Sequence, residues 1–441
     1  MSAKIFRDPL YNYVSIDRTK DSWLLQLLDT PEVQRLRRIH QLGISCLTYP
    51  GADHSRLSHS LGVLHLTQQA LEHMGTVQGT KSFVESARVP LLAAALLHDV
   101  GHGPFSHLAE ALVGAKHEDW SCEVIRSPET RVNCVLRGVD GSLPDQVSAL
   151  IAKNDFTRPL WQKHLLSSQL DVDRLDFLRR DSLITGAGYG HFDWYRILHT
   201  FSPWGETNQE SDLVWSDKAK YAIEEYIFSR FYMYENVYYH KTTLAFERIL
   251  QALWQHARGL HRDGHDIQLL RPIRVLWDTK DLSPRQYLDL EEHVVMHQIS
   301  RWAKHKDKAL ADLSGRFLNR NGFVCIEAPK LRSKIAGSLE EWDDKLRKLA
   351  RRKGFTPAEF YVLRDERRIT IYSPYYPEKG KEEQAPTNAI RILDGDGGKA
   401  HEISELLPRL KAVTKKPPEK VLYFVPKEIR KESEKLRANW P

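Results

Sequence analysis

The amino-acid sequence predicts a mainly α fold with a smaller α/β lobe at its C-terminal end. Between Asp21 and Trp254, apolar residues recur at three- and four-residue spacing, with Pro, Gly or Ser at the breaks, as in amphipathic helices. Beyond about Gly264, charged helical segments give way to short β-like runs separated by polar turns. We therefore expect a helical domain over residues 1–275 and a lobe of helices and strands over residues 276–441.

The elements follow in order from these patterns. Helices are predicted for SWLLQLLDTPEVQRLRRIHQLG, SRLSHSLGVLHLTQQALEHMG, VPLLAAALLHDVG, SSQLDVDRLDFLRRD and the long KAKYAIEEYIFSRFYMYENVYYHKTTLAFERILQALWQHA. In the lobe, SLEEWDDKLRKLARRKG predicts a charged helix, and EFYVL, RITIYSP, NAIRIL and KVLYFVP predict short strands. The polar segment YPEKGKEEQAPTN is expected to be a mobile loop.

Composition narrows the class of protein. The 441 residues are enough to bury a deep apolar core, and the net charge of +6 is too small and too dispersed to indicate a nucleic-acid-binding protein. The four cysteines show no CxxC spacing, which argues against a zinc ribbon or a disulfide framework and suits a reducing compartment. Without a signal-like start or a run of roughly 18 apolar residues, we expect a cytoplasmic protein that does not span a membrane.

The stretch LLHDVGHGPFSH, Leu96–His107, crowds imidazoles and a carboxylate at the end of an apolar helix. Pro90 suits the first turn of that helix, LLAAALL is apolar all round and therefore predicts burial, and Gly101 predicts its end. His98 and Asp99 can share one metal ion only if the backbone turns away there, which Gly101 permits. An unpaired buried carboxylate is costly, so the pair indicates a metal site rather than an ordinary core.

Two ligands are too few for a transition-metal site, so further donors must come from other helices. His59 in RLSHSLG lies on a predicted amphipathic helix. Asp173 in LDVDRLDFLRRD is a second candidate, and Asp176 and Arg180 follow it at i+3 and i+7 on the same helical face.

Four motifs, RLSHSLGV, HDVGHGPFSH, KHED and DVDRLDFLRRD, resemble those of the HD-domain deoxynucleoside triphosphate triphosphohydrolases. An HD pair alone is shared by several phosphohydrolase families, whereas the longer HDxGHGPFSH string is much more specific. The resemblance runs from Lys4 to about Trp254, and APTNAIRI resembles the appended α/β lobe of the same family. It implies an HD-domain helical core and attack of water at the α-phosphorus of a dNTP, which releases deoxynucleoside and tripolyphosphate.

The resemblance also implies a divalent metal ion, with Mn, Fe, Mg and Zn left open, that activates water and holds the α-phosphate. The implied metal ligands are His59, His98, Asp99 and Asp173. The implied catalytic residues are His102, His107, Glu110 and His117. In this arrangement the acidic residue orients an imidazole one turn away.

Seven positions match or replace the family's nucleotide contacts, with Arg174 standing where a Lys is expected. They are Gln41, Leu42, Arg56, Arg174, Asp181, Arg230 and Tyr238. The resemblance implies that Leu42 and Tyr238 crowd the 2′ position and that Gln41 and Asp181 hold the 3′-hydroxyl. Phe177 replaces a family Tyr near the phosphates, so one hydroxyl donor is missing.

An aromatic stripe adjoins these positions. Arg230, Tyr234, Tyr238 and Lys241 repeat at i, i+4, i+8 and i+11 along one predicted helix. Such a stripe is more often core than ligand platform, but the flanking cations favour a phosphate-lined wall. Tyr239 stands where a Gln is expected, which leaves the base preference open.

The N-terminal segments match positions where the family binds an activating guanine nucleotide, GTP or dGTP, at a subunit junction. These positions are Lys4, Asp29, Gln34 and Arg37. An aspartate can accept two hydrogen bonds from guanine, although Asp29 is equally well explained as a helix N-cap. A second effector site at Arg196 and Lys218 is in doubt, because Ser216 and Glu383 replace the expected cations. We expect a homo-oligomer, a tetramer built from dimers.

Two other functions remain open from sequence. The metal site can serve a different substrate, such as another nucleotide or single-stranded nucleic acid. Alternatively, the chain is a catalytically silent nucleotide sensor or nucleic-acid scaffold whose basic segments RKLARRKG and KAVTKKPPEK contact phosphates, although a solvated surface explains such segments more simply.

Overall fold

The computed structural model describes residues 3–153, 155, 157–205, 207–208, 210–329, 338–368, 389–395, 398–410 and 419–440. The helices of the first half are α1 (Ser22–Leu28), α2 (Pro31–Arg35), α3 (Arg56–Thr76), α4 (Lys81–Leu97), α5 (His107–Val113), α6 (His117–Arg126), α7 (Arg131–Val139), α8 (Leu143–Ile151), α9 (Leu160–Leu166), α10 (Val172–Thr185) and α11 (Trp194–Leu198). Those of the second half are α12 (Lys220–Met233), α13 (Lys241–Arg262), α14 (Arg271–Asp278), α15 (Pro284–Leu288), α16 (Glu292–Trp302), α17 (Lys308–Leu318), α18 (Leu339–Arg352), α19 (Ile403–Leu406) and α20 (Arg430–Ala438). The predicted mainly α fold is confirmed.

The strands form three small antiparallel or mixed sheets. They are β1 (Ala3–Asp8), β2 (Asn12–Asp17), β3 (Phe201–Trp204), β4 (Asp212–Ser216), β5 (Val324–Glu327), β6 (Leu363–Arg368), β7 (Arg391–Leu393), β8 (Ala400–Glu402) and β9 (Glu419–Val425). Strands β1 and β2 pair as a hairpin, β3, β4, β7 and β8 follow one another in a second sheet, and β9 lies between β5 and β6 in the third.

Strands β3 and β4 interrupt the region that the spacing assigned to helices. Four consecutive residues of β4 are buried, so neither a period of 2 nor one of 3.6 marks it. In the lobe, KVLYFVP and NAIRIL do contain strands, whereas EFYVL begins as a 3₁₀ turn and enters β6 only at Leu363. RITIYSP beyond Arg368 and the segment YPEKGKEEQAPTN lie outside the described residues.

Helices α3 and α4 form the centre of the helical core. Val63 and Leu66 of α3 and Leu92 and Leu96 of α4 are fully buried in one apolar cluster. The prediction that α4 begins at Pro90 is wrong, because the helix begins at Lys81 and continues through the proline. A proline removes one backbone donor, and the buried apolar turns that follow it hold the helix together.

The long predicted helix near residue 240 is two helices. A single π-helical turn, Tyr234–Tyr238, ends α12, and His240 caps the start of α13 by accepting a hydrogen bond from the amide of Thr242. The predicted stripe is therefore interrupted, since Lys241 begins a new helix and lies in a separate depression with Arg320. Single π-helical turns of this kind are frequent at functional sites.

The predicted division at residue 275 remains a prediction. Strand β4 of the first part pairs in parallel with β7 of the second, with Trp215 opposite Ile392. Phe105 and Phe424, from opposite sides of the division, belong to the same buried apolar cluster. Among the described residues, no helix combines the length and the apolar character needed to cross a bilayer.

Candidate active site

Four predicted metal ligands from three helices come together. His59 lies on α3, His98 and Asp99 follow the last turn of α4, and Asp173 lies in the first turn of α10. The Nε2 atom of His59 is 3.3 Å from Nε2 of His98, 3.0 Å from Oδ1 of Asp173 and 3.7 Å from Oδ2 of Asp99. His98 Nε2 is 3.4 Å from Oδ1 of Asp99. His59, His98 and Asp99 place ligand atoms within 4.8 Å of one another, as one bound ion requires, and Asp173 Oδ1 adjoins the two imidazoles, 3.9 Å from Nε2 of His98.

The backbone reaches this arrangement by turning sharply after Leu97. Gly101 is essential to the turn, because a β-carbon there would lie 2.2 Å from the backbone nitrogen of Ser121 and 2.3 Å from the carbonyl oxygen of His117. The glycine is thus required for the close approach of α6, and its φ is not positive. The sequence predicted a glycine-dependent turn here, and the structure supplies its steric reason.

The electrostatics of the cluster favour positive charge. Burial acts to lower the pKa of His59, but hydrogen bonds to Asp173 and Asp176 outweigh it and raise that pKa to about 10. Burial acts to raise the pKa of the Asp99 carboxyl, but the Arg56 guanidinium beside it holds that pKa well below its usual range. The site therefore keeps its carboxylates ionised in a buried setting, as a cation site requires.

Arg56 is positioned by a strained turn. Its Nη1 donates to Oδ2 of Asp99 at 2.5 Å and its Nε donates to Oγ of Ser106 at 2.7 Å. Phe105 and Ser106 both have positive φ, at 62° and 59°, which non-glycine residues adopt rarely. Strain of this type persists where surrounding contacts hold it, and here Ser106 Oγ donates to the carbonyl of His40 at 2.5 Å.

A second cluster of imidazoles lies beside the first. His102 stacks on His117 with ring centroids 3.7 Å apart, and His107 meets both rings edge-on. Oε1 of Glu110 is 2.6 Å from Nδ1 of His117 and 3.1 Å from Nδ1 of His107. The carboxylate thus orients two imidazoles at once, and their hydrogen bonds outweigh burial and lower the pKa of Glu110.

His102 is buried and neutral. Burial, Arg56 and His117 together hold its pKa well below the usual value. Its Nε2 lies 3.3 Å from Oδ1 of Asp99, and its Nδ1 has no hydrogen-bond partner among the residues that the structure describes. A buried imidazole with an unused nitrogen is able to take a hydrogen bond from, or give one to, a bound ligand.

A cavity of about 370 Å³ opens onto both clusters. Most of the predicted site residues line it: Gln41, Leu42, Arg56, His59, Asp99, His102, His107, His117, Asp173, Asp181 and Tyr238. The cavity lining also includes Phe177, Tyr234, Tyr239 and Glu247. The cavity is therefore lined by metal-binding and imidazole groups together with aromatic side chains.

Two predicted substrate contacts lie outside this lining. Arg174 turns back to Asp171 and to the carbonyl of Ser168, both within hydrogen-bond distance. Arg230 lies over the ring of Tyr234, with its guanidinium carbon 5.6 Å from the ring centroid. Neither arginine is part of the cavity lining in this structure.

Asp181 links the two walls of the cavity. Its Oδ2 accepts a hydrogen bond from the hydroxyl of Tyr238 and its Oδ1 is bonded to Nε2 of His54, both at 2.8 Å. Gln41 is buried, and its Oε1 has no hydrogen-bond partner within the described part of the chain. An unpartnered buried acceptor beside a cavity is suited to a hydroxyl group of a ligand.

The predicted effector residues lie elsewhere. Lys4 is in β1, and Gln34 accepts a hydrogen bond from Nε of Arg37 at 2.7 Å. The alternative of Asp29 as an N-cap is wrong, because Thr30 caps α2 and Asp29 closes the C-terminal end of α1 with an exposed side chain. Arg196 and Lys218 line one shallow depression, whereas Glu383 lies outside the described residues.

Sequence reasoning missed several residues that hold the site. Ser106 and His54 fix Arg56 and Asp181. Tyr287, from α15, stacks on Trp120 and donates to the carbonyl of Gly101 at 2.7 Å. Ser106 lies within the HDVGHGPFSH motif but is 50 residues from its partner Arg56, and His54 and Tyr287 belong to none of the motifs, so only the fold reveals these contacts.

The basic segment RKLARRKG is partly neutralised by ion pairs within its own helix. RKLARRKG lies at the end of α18, where Arg347 and Lys348 pair with Asp343 and Asp344 one turn earlier. Such pairs are typical of a solvated helix face. Residues 411–418 of KAVTKKPPEK lie outside the described part of the chain.

Comparison with known proteins agrees with this geometry. The HD domain family matches residues 56–180, which include all four metal-ligand candidates. The protein YwfO of Bacillus subtilis (strain 168) is 36% identical over 396 residues, covering 89% of this chain and 86% of its own length. The deoxynucleoside triphosphate triphosphohydrolase SAMHD1 of Danio rerio is 24% identical, covering 92% of this chain and 69% of its own. The crystal structure of a phosphohydrolase from Bacteroides thetaiotaomicron superposes with a TM-score of 0.78 at 27% identity, over 96% of this chain and 99% of that one.

Proposed function

This chain belongs to the dNTPase-like family of HD-domain phosphohydrolases, and from that premise we propose that it is a metal-dependent dNTP triphosphohydrolase. It converts a dNTP and water to a deoxynucleoside and tripolyphosphate. The observation that carries the proposal is the meeting of His59, His98, Asp99 and Asp173 at the end of a cavity that also holds three histidines. Two imidazoles and two carboxylates leave positions for water and a phosphate oxygen.

The donor set fits a divalent cation. Neutral imidazoles and carboxylates accept Mn, Fe, Mg or Zn, with availability deciding between them. His59, His98, Asp99 and Asp173 would hold the ion. When bound, such an ion supplies an activated water and neutralises charge on the α-phosphate.

The neighbouring residues handle charge and protons. Attack at the α-phosphorus breaks its bond to the 5′ oxygen, and that oxygen must gain a proton to leave as a hydroxyl. His107 supplies it from Nε2, because Glu110 occupies Nδ1 of the same ring. Arg56 places a permanent positive charge at the cavity wall, where negative charge on the phosphates must be stabilised.

The aromatic and polar side chains of the cavity suit a deoxynucleoside. Gln41 and Asp181 hold the 3′-hydroxyl, whose single proton is donated to the unpartnered buried Oε1 of Gln41. Leu42 and Tyr238 leave little room at the 2′ position, since the Tyr238 hydroxyl is fixed by its bond to Asp181. A ribonucleotide therefore fits less well than a deoxynucleotide.

Regulation and assembly complete the proposal. A guanine nucleotide, GTP or dGTP, binds at Lys4, Asp29, Gln34 and Arg37 and activates the enzyme. Asp29 has an exposed carboxylate able to accept two hydrogen bonds from guanine. The active form is a cytoplasmic homotetramer, because the proposed effector site needs a subunit junction.

A nucleotide panel with product identification tests the proposal. The protein is incubated with Mn²⁺ and each dNTP, with and without GTP, and products are separated by ion-exchange chromatography. We expect deoxynucleoside and tripolyphosphate from the wild type and loss of turnover in Asp173→Asn, with Asp193→Asn, an exposed aspartate of the same charge, as the control. Monophosphate or diphosphate products, cleavage of single-stranded oligonucleotides alone, or binding without turnover would each favour a different function.

A further inference from the structure

Asp176 lies directly behind the metal-ligand candidate His59. Its Oδ2 is 2.7 Å from Nδ1 of His59, and the aspartate side chain is fully buried. An ionised carboxylate only accepts hydrogen bonds, so Nδ1 of His59 donates to Asp176. This leaves Nε2 as the ligand atom of the ring, and it faces His98 and Asp173, where the four donors meet.

Asp176 is itself held from two sides. Arg180 donates to both of its oxygens, from Nε to Oδ2 and from Nη2 to Oδ1, each at 2.9 Å. The hydroxyl of Tyr11 donates to Oδ1, also at 2.9 Å. A carboxylate with this many fixed donors cannot rotate, and the plane of the His59 ring is fixed with it.

The chain of contacts ends in the N-terminal hairpin of β1 and β2. Nη1 of Arg180 donates to Oδ2 of Asp8 at 2.8 Å, while Oδ1 of Asp8 accepts from the amides of Leu10 and Tyr11 in the hairpin turn. The turn thus presents Asp8 and Tyr11 to α10 together. Four side chains, Asp8, Tyr11, Asp176 and Arg180, form what we term the hairpin network.

If the hairpin network served only to stabilise the fold, the burial of its charged side chains would cost free energy that an apolar set would not. Arg180, Asp8 and Asp176 are all buried, and an apolar set of similar volume often stabilises a fold as well as buried charges do. A carboxylate behind a metal-binding histidine, in contrast, fixes the ring tautomer and makes the ligand more basic. The placement of Asp176 matches this second use.

We propose that Asp176 is the positioning residue of the metal centre and that the N-terminal hairpin holds it through Tyr11 and the Asp8–Arg180 pair. This inference rests on the proposed metal site. Its consequence is that the affinity for metal depends on Asp176 and on the hairpin, although neither touches the ion.

The experiment compares four variants of the full chain with the wild type. Asp176→Asn removes the charge behind His59, and His98→Ala removes a proposed ligand. Tyr11→Phe removes one hydrogen bond to Asp176 with little change in volume and serves if Asp176→Asn does not fold. Asp212→Asn is the matched control, since Asp212 is buried and bonded to Nδ1 of His164 at 2.5 Å in a pair that lies outside the donor cluster.

Metal-free proteins are titrated with Mn²⁺ and with Co²⁺, and the affinity is followed by calorimetry and by the visible spectrum of bound Co²⁺. We expect Asp176→Asn to bind about 10- to 100-fold more weakly than the wild type. Tyr11→Phe should lose less, about two- to tenfold, because Arg180 still holds both oxygens of Asp176. Asp212→Asn should bind like the wild type, and excess metal should restore turnover in Asp176→Asn.

The outcomes separate the two claims. Wild-type affinity in Asp176→Asn, or equal weakening in Asp212→Asn, overturns the positioning role while the metal site stands. Equal affinity in the wild type and His98→Ala means that the proposed ligands do not hold the ion, and the positioning role falls with them. Unchanged affinity in Tyr11→Phe removes the hairpin from the proposal.

Discussion

Gly62 of α3 lies so close to Asp176 of α10 that a β-carbon at position 62 would be 1.9 Å from Oδ1 of the aspartate. The same β-carbon would be 2.4 Å from Nη2 of Arg180. His59 lies one turn before Gly62 on α3, so this close approach of the two helices also brings His59 within hydrogen-bond distance of Asp176. The glycine is therefore part of the support of the candidate metal centre.

Gly62→Ala should destabilise the protein, because the added methyl group would overlap the buried Asp176–Arg180 ion pair and force it out of its present position. Overpacking of this type costs about 1–3 kcal/mol in the free energy of unfolding, measured by urea denaturation. Gly75→Ala is the control on the same helix, since no described atom lies within 4 Å of the place that a β-carbon would occupy there, and it should be neutral or stabilising. Equal effects of the two substitutions would contradict this account of Gly62.

Metal binding should raise the stability of the wild type. A ligand that binds only the folded state at about 100 times its Kd adds roughly 2.7 kcal/mol, which a thermal melt with and without Mn²⁺ detects as a higher Tm. His98→Ala should lose this rise, because it removes one of four converging donors. His265→Ala, at an exposed position, should keep it. A full rise in His98→Ala would show that the ion binds elsewhere.

The sequence predicted the candidate metal ligands better than it predicted the residues that hold them in place. His98 and Asp99 are adjacent and stand at the end of an apolar run, so their pairing is visible in the sequence itself. His59 and Asp173 were only candidates from their helical segments, and their assignment to the same ion needed the family resemblance, because no local spacing joins two residues on separate helices. The bond between His59 and Asp176 could not be predicted, since helical periodicity gives only the face on which Asp176 lies.

In the fold, too, elements with a local pattern were predictable and those that depend on a distant partner were not. Uniform apolar runs such as that of α4 predict buried helices, because burial needs no knowledge of the neighbour. The break between Tyr234 and Lys241 escaped the periodicity because the apolar spacing continues across it. Pairing of β4 with β7 joins residues nearly 180 positions apart, with Trp215 opposite Ile392, and no local pattern records such a partner.

His107→Gln should lower kcat by about 10²- to 10⁴-fold, the usual contribution of a positioned proton donor. Glutamine keeps a polar group near Glu110 but cannot deliver a proton at neutral pH. The metal content, measured by atomic emission, should not change, because His107 is not one of the four proposed ligands. His265→Gln is the control. A loss of kcat smaller than about threefold would exclude His107 as the proton donor.

The pH dependence of stability should include a contribution from Asp307, the N-cap of α17. Its Oδ1 accepts from the amide of Leu310 and is bonded to Nε2 of His256, both at 2.8 Å. Burial acts to raise the pKa of Asp307, but these hydrogen bonds outweigh it and lower that pKa. The folded pKa is thus below the unfolded value of about 3.9, so the charge stabilises the fold above that pH and the effect is lost as the pH falls through the lowered pKa.

Asp307→Asn isolates this charge, because asparagine still caps the helix. We expect the wild type to have the larger free energy of unfolding at neutral pH and the difference to shrink as urea denaturation is repeated at steps down to about pH 2. Asp281→Asn, at an exposed position, should differ little from the wild type throughout. A difference that stays constant or grows towards acid pH would mean that Asp307 stabilises α17 by its shape rather than by its charge.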